Sequence, residues 1–268
     1  MKNVLTIAGS DSCGGAGIQA DLKTFSAHGV YGMSVITAIT AQNTMGVFDV
    51  QDIDKDIIEN QISCIYEDIQ VSAVKIGMVS KIETIDAIAE GLLKYNAGNI
   101  VLDPVMISKS GFDLLKPESK KTLIEKLIPI ATVITPNIPE AEVILDRKID
   151  TLDKMVIAAK DIHKLGPKSV LLKGGHLDHN ATDVLFHKGE IYYLKGEKIH
   201  TKNTHGTGCT LSSSIASNLA LGYDLEEAVK RAKDYITMAI KHSFSIGHGV
   251  GPTHHFYQLY KLAGLEVK

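Results

Sequence analysis

The sequence predicts an α/β protein, a doubly wound sandwich with helices on both faces of a mostly parallel sheet. Three observations carry this. Short runs that are apolar on both faces alternate with longer amphipathic runs. Their order reads strand, helix, strand along most of the chain. No repeat, low-complexity tract or linker divides it. A strand apolar on both faces suits a sheet covered on both sides, and the alternation is that of a doubly wound fold. With 268 residues and 44% apolar content, residues 1–268 read as a single domain. A domain of this size buries roughly three quarters of its unfolded surface and needs no disulfide or metal staple.

The strand candidates are Val4–Ala8, Ser34–Ala41, Ser72–Ile76, Ile100–Asp103, Thr132–Thr135 and Ser169–Leu172. Between them, Asp54–Tyr66 places Ile57, Ile58, Ile62 and Ile65 on one helical face, and Ile82–Tyr95 does so with Ile85, Ile88, Ala89, Leu92 and Leu93. Thr151–Leu165 and Leu225–Phe244 repeat the pattern. Asp183–His187 and Ile191–Leu194, around Gly189-Glu190, read as a hairpin at a sheet edge.

The formal charge is −3, from 28 basic and 31 acidic residues, with no polybasic tract. That argues against nucleic-acid and membrane partners. Cys13, Cys64 and Cys209 are odd in number and far apart, which argues against a disulfide framework or zinc ribbon. The apolar run Val4–Ala8 is too short for a signal peptide, and Val30 to Ala41 falls short of a membrane span. Cytoplasm is the expected compartment.

Five segments carry chemistry. The first, Gly9-Ser10-Asp11-Ser12-Cys13-Gly14-Gly15-Ala16-Gly17, follows the first strand. Its glycines let backbone approach a ligand closely, or simply supply a turn with positive φ. Gly15 lies too far past the strand for a dinucleotide fingerprint, and the next strand ends in Ala41-Gln42 without a ribose-binding acid. There is no G-x-x-x-x-G-K-[ST] sequence. Asp21, early in a helix starting near Ala16, suits either the helix dipole or a ligand. Gln42, just past a strand's carboxyl end, offers a donor and an acceptor side by side, which suits a ring nitrogen beside an amino group.

Asp103 closes a strand, where an acid can partner magnesium. The loop Ile107–Leu115 beyond it reads as a flap or as a plain loop. Thr135-Pro136-Asn137-Ile138-Pro139-Glu140 closes the next strand, with Pro139 suited to a first helical turn. Glu140 reads as complementing the helix dipole or as positioning Mg²⁺ and its waters. Lys173 closes another strand beside Gly174 and Gly175, within reach of a phosphate or simply of solvent. His176 and His179 lack the further ligands a zinc site needs.

The most informative segment is Asn203-Thr204-His205-Gly206-Thr207-Gly208-Cys209-Thr210, preceding the helical run Leu211–Leu221. Gly206 and Gly208 allow a tight turn with converging N–H groups, and the helix start adds unpaired N–H groups and partial positive charge. Together they predict an anion hole. Cys209, placed first or second in that helix, is expected to have its pKa lowered from about 8.5.

These segments, in this order, resemble the ribokinase-like kinases, and more closely the hydroxymethylpyrimidine/phosphomethylpyrimidine kinases of thiamine biosynthesis. The likeness runs over almost the whole chain. Besides the segments above it includes Ala41-Gln42-Asn43-Thr44, Lys75-Ile76-Gly77-Met78, Asp103-Pro104-Val105-Met106 and Gly251-Pro252. It implies a three-layer α/β/α ribokinase-like fold, a homodimer, and ATP with Mg²⁺. It implies that Gly9, Asp21 and Gln42 hold an aminopyrimidine, with Met78 and Val105 against its ring. Asp103, Asn137 and Glu140 would serve the metal, largely through water. Lys173, Thr207 and Gly208 would take the ATP phosphates, with Gly206, Gly208 and Cys209 at the transferring group. Many ribokinase-like enzymes have aspartate where Cys209 stands. Cysteine there fits the pyrimidine kinases and some bacterial pyridoxal kinases, so a B6 vitamer stays open as acceptor. A non-catalytic sensor would be expected to lack these acids or the anion loop.

Overall fold

The computed structural model describes residues 1–106, 114–175, 181–196 and 198–265. Among the described residues nine strands form one sheet: β1 (Asn3–Asp11), β2 (Tyr31–Asn43), β3 (Gly46–Asp52), β4 (Ala73–Ile76), β5 (Ile100–Leu102), β6 (Val133–Ile134), β7 (Ser169–Leu172), β8 (Asp183–His187) and β9 (Glu190–Leu194). Their spatial order is β3-β2-β1-β4-β5-β6-β7-β8-β9. The run from β2 to β7 is parallel, while β3, β8 and β9 pair antiparallel. The helices are α1 (Gly17–Ala27), α2 (Lys55–Asp68), α3 (Ile82–Lys94), α4 (Ser119–Thr122, continuing as irregular turns to Ile130), α5 (Ile138–Leu145), α6 (Leu152–His163), α7 (Thr207–Leu221), α8 (Leu225–Lys241) and α9 (Tyr257–Leu262).

Side-chain alternation along each strand divides the core in two. Leu5, Val74, Ile100, Leu102, Ile134, Val170 and Leu172 pack in one cluster with residues of α2, α3, α5 and α6. Their neighbours Val4, Ala73, Val101, Val133 and Leu171 pack in the other, with α1, α7 and α8. This is the expected three-layer α/β/α sandwich. Apolar surface buried on both faces explains why these strands show no alternation in sequence.

The edge hairpin at β8 and β9 is present, with Lys188 and Gly189 both at positive φ, as a tight two-residue turn needs. The opposite edge strand, β3, was not expected. None of Gly46–Asp52 is buried, so it lacks the apolar run that marked the other strands. The stretch Ser119–Ile130 and the short α9 were likewise not expected; α9 is only six residues long and none of them is buried, so it leaves no extended helical pattern.

The chain leaves β1 for β2 on one side, then returns to β4 on the other. The connections at the carboxyl ends of β1 and β4 therefore diverge, opening the crevice where doubly wound sheets bind ligands.

α7 departs from its expected apolar character in an informative way. Every residue from Thr210 to Ala220 is buried, including Ser212, Ser213, Ser214, Ser217 and Asn218. Ser217 and Asn218 return hydrogen bonds to the helix's own carbonyls, whereas Ser213 and Ser214 bond outward to Asp21 and His28. A helix enclosed on all sides carries polar side chains only where each finds a partner.

Candidate active site

The carboxyl ends of β1, β4, β5, β6 and β7 open into a cavity of about 850 Å³. Gly9, Gln42, Met78, Val105, Asp103, Asn137, Glu140, Lys173, Gly206, Thr207, Gly208 and Cys209 all line it. The sequence-predicted residues thus converge, with Asp21 as the exception.

Asp21 is fully buried and does not line the cavity. Its Oδ1 accepts from Ser213 Oγ at 2.6 Å, and its Oδ2 accepts from Thr6 Oγ1 at 2.6 Å and Lys75 Nζ at 2.8 Å. A carboxylate so occupied cannot also hold an acceptor ring. Asp21 instead ties α1 to β1, β4 and α7. Lys75 was not singled out, although a lysine inside an otherwise apolar strand can only be buried with a partner. Burial alone would lower its pKa; Asp21 foremost, with Asp103, reverses this and holds the ammonium charged.

The tight turn before α7 forms where the two glycines predicted it. Gly206 is the N-cap of α7 at φ 77, no side chain caps the helix, and the first turn from Thr207 to Cys209 lines the cavity. Two side chains face this turn. Lys173 Nζ donates to Asp103 Oδ1 at 2.9 Å, and a Cβ on Gly208 would stand 3.2 Å from Asp103 Oδ2 and 3.5 Å from Lys173 Nζ. Burial works against the Lys173 charge, but Asp103 and Glu140 outweigh it and raise the pKa. Thr135 Oγ1 at 3.2 Å and Ser212 Oγ at 3.4 Å also donate to Asp103.

Asn137 and Glu140 close a capping box at the start of α5: Glu140 N donates to Asn137 Oδ1, and Asn137 N to Glu140 Oε2, both at 2.8 Å. Dipole complementation and a place on the cavity wall are therefore both realised by Glu140. Among the described residues, no three His, Cys, Asp or Glu side chains converge as a metal cage. His176, His179 and most of Ile107–Leu115 lie outside the described residues; Leu114 lines the cavity.

Cys209 differs from expectation twice. It is the third residue of α7, and its thiol pKa is raised to about 11. Burial is the main cause, and the charges of Asp21 and Asp103 add to it. Lys75 and the Gly17 N–H oppose them without prevailing. The helix start alone suggested a thiolate; the two carboxylates beneath it could not be read from the local sequence.

The first glycine segment also works differently. Asp11 Oδ1 accepts from Cys13 N, and Oδ2 from Gly15 N, Ala16 N and His205 Nε2, all between 2.8 and 3.0 Å. A Cβ on Gly15 would run into the His205 ring, and one on Gly206 into Gly15 O. These glycines let two loops pack against each other, more than they admit a ligand. Asp11 and His205 were not predicted, though both stand inside quoted segments.

This architecture has known relatives. The family model for phosphomethylpyrimidine kinase matches residues 11–254. The chain belongs to that family. It is 51% identical over 261 residues to a hydroxymethylpyrimidine/phosphomethylpyrimidine kinase of Rhizobium meliloti, covering 96% of this chain and 98% of that protein. Among solved structures it is similar to the phosphomethylpyrimidine kinase of Clostridium difficile (60% identity, TM-score 0.82, 90% of this chain and 100% of the other). It is also similar to a Bacillus subtilis pyridoxal kinase solved with ADP (43% identity, TM-score 0.89, 97% and 99% coverage). For this family member the three-layer sandwich is the ribokinase-like fold, and the protein is a kinase.

Proposed function

We propose that this kinase uses ATP to phosphorylate 4-amino-5-hydroxymethyl-2-methylpyrimidine and then its monophosphate, giving the diphosphate for thiamine diphosphate biosynthesis. The observation that supports this is one cavity lined by both groups of residues. The uncapped start of α7, Lys173 and Asp103 stand along one wall; Gly9, Gln42, Met78 and Val105 supply an amide and apolar surface for a small ring.

Phosphoryl transfer is mostly positioning and charge stabilisation. The amides of Gly206 to Cys209, with Lys173 and Thr207, hold the transferring group and neutralise its equatorial oxygens. Lys173 leaves Asp103 or shares it when the phosphates arrive. Gln42 orients the ring, and Met78 and Val105 exclude water from its faces. Asp103, Asn137 and Glu140 would hold Mg²⁺ largely through its waters; hard oxygen donors without a closed cage fit an ion that keeps several waters. Bound there, the metal supplies charge neutralisation at the phosphates.

The reaction belongs to one domain spanning 1–268, in cytoplasm, acting as a homodimer. The edge hairpin of β2 and β3 leaves Ile39, Met45 and Phe48 exposed, apolar surface of the kind a second copy covers. Among the described residues no helix is long and apolar enough to cross a membrane. An ATP-consumption assay with the hydroxymethylpyrimidine, its monophosphate and pyridoxine tests the reading: turnover of the first two supports it, and turnover of pyridoxine alone overturns it. The likeness to the Bacillus subtilis pyridoxal kinase favours pyridoxine or pyridoxal kinase as the second reading, alone or as a dual activity.

A further inference from the structure

We propose that the Asp11–His205 pair is a positioning device that fixes which way round the Gln42 amide faces the acceptor, and so sets selectivity for an exocyclic amino group. This rests on the pyrimidine reading above. His205 Nε2 lies 2.8 Å from Asp11 Oδ2 and 3.3 Å from the Gln42 amide nitrogen as placed. Asp11 is ionised: burial pushes its pKa up, but the His205 hydrogen bond and the Ala16 and Cys13 amides outweigh burial and lower it. An ionised carboxylate only accepts, so His205 Nε2 must carry the proton.

That proton decides the amide. With its nitrogen toward His205, Gln42 would set two donors face to face. Thr40 gives an independent vote. Its Oγ1 lies 2.9 Å from Ser10 O, which can only accept, and 3.3 Å from the Gln42 amide terminus on its other side. The single hydroxyl proton goes to Ser10, so Thr40 presents a lone pair to Gln42. Thr40 requires the amide nitrogen on its side, and His205, whose Nε2–H is given to Asp11 and leaves no lone pair for an amide donor, disfavours the nitrogen on its own: both favour amide oxygen toward His205, amide nitrogen toward Thr40. The donor and acceptor that Gln42 offers to the cavity are then fixed in order. A ring nitrogen beside an amino group matches one order only. Asp11 thereby acts at a distance, through His205, on an amide that it does not touch.

The test compares the hydroxymethylpyrimidine with its des-amino analogue in wild type, Asp11→Asn, His205→Phe and His205→Gln. Glutamine places a donor nitrogen near the Nε2 position; phenylalanine keeps a ring without one. In wild type and His205→Gln the kcat/KM ratio of the two acceptors should agree within about threefold. In Asp11→Asn and His205→Phe it should fall about tenfold, through acceptor KM, with KM for ATP changed less than threefold. A merely structural role predicts parallel losses on both acceptors and an unchanged ratio, which overturns the proposal. ¹⁵N NMR of the wild-type His205 ring reads the arrangement without turnover. An unprotonated Nε2 overturns it even if the pyrimidine is turned over, whereas a protonated Nε2 in an enzyme inactive on the pyrimidine indicts the function reading instead.

Discussion

Lys75 Nζ lies 2.8 Å from Asp21 Oδ2, and neither side chain has any exposure. The pair sits between the sheet and α7, where Asp21 also receives Thr6 and Ser213. Removing one partner strands a buried charge. Lys75→Met should therefore cost about 3–5 kcal/mol in urea unfolding. The double variant with Asp21→Asn should recover part of that loss. A single-variant cost below about 1 kcal/mol would show that the charge finds another partner. The folded pKa of Lys75 is raised, so its contribution is complete below the ordinary lysine value near about 10.4 and declines only above it. Stability near neutral pH should not respond to this group.

Gly206 holds the two loops together. It has φ 77, and a Cβ there would strike Gly15 O, a backbone atom that cannot swing aside. Gly206→Ala should cost about 2 kcal/mol or more and reduce turnover steeply, because the α7 start must shift away from Lys173. Gly189→Ala is the comparison. It too has positive φ, at 85, but a Cβ there meets nothing within 4 Å. That variant should pay the backbone strain alone, with activity kept.

His255 gives a pH dependence of definite sign. Burial, with Lys23 and His254 adding, lowers its pKa to about 4, and it bonds Thr210 Oγ1 at 3.0 Å. The unfolded chain binds a proton there near about pH 6.5, so it takes up protons that the folded state refuses. Stability should fall as pH drops from about 6.5 to about 4, by about 3 kcal/mol in all from this group. Asp11, whose folded pKa is depressed, adds its loss only below the ordinary carboxylate value. Unfolding midpoints across pH in wild type and His255→Gln would separate the two. An unchanged slope between pH 4 and 6.5 in the variant removes His255 from the account.

How far the sequence could be read follows from what each residue touches. Apolar strands such as Ser169–Leu172 declare themselves because burial on both faces shows in composition alone. The edge strand Gly46–Asp52 does not, since one row of hydrogen bonds and little burial leave no pattern. Asp103, Glu140, Lys173 and Gln42 were legible because strand ends in such a sheet share one edge. Asp21 lies early in a helix whose facing partner, Ser213, is 192 residues away. Its direction was fixed by Lys75 and Thr6, not by its neighbours in sequence. The same holds for Asp11 and His205, 194 residues apart.

Cys209 is where the structure most changes the chemistry. A thiol with its pKa pushed up to about 11 is mostly neutral at pH 7, which argues against a standing thiolate base. Alkylation of the Cys209 peptide, followed by mass spectrometry, should be slow at pH 7 and rise about tenfold per pH unit toward 11. A plateau below pH 8 would restore the thiolate. Turnover is a separate question. A loose transition state asks little of a base until late, so the neutral thiol acts as a hydrogen-bond partner beside the acceptor oxygen, and it could take the hydroxyl proton only after giving up its own. Cys209→Ala keeps the backbone amide and the start of α7, and it should lower kcat about 10²-fold while changing ATP affinity less than threefold. Cys209→Asp places an acid where many ribokinase-like enzymes have one, but beside Asp21 and Asp103. Near-wild-type turnover in the alanine variant would leave the amides of the anion loop, with Lys173, as the whole of the protein's contribution at the transferring group.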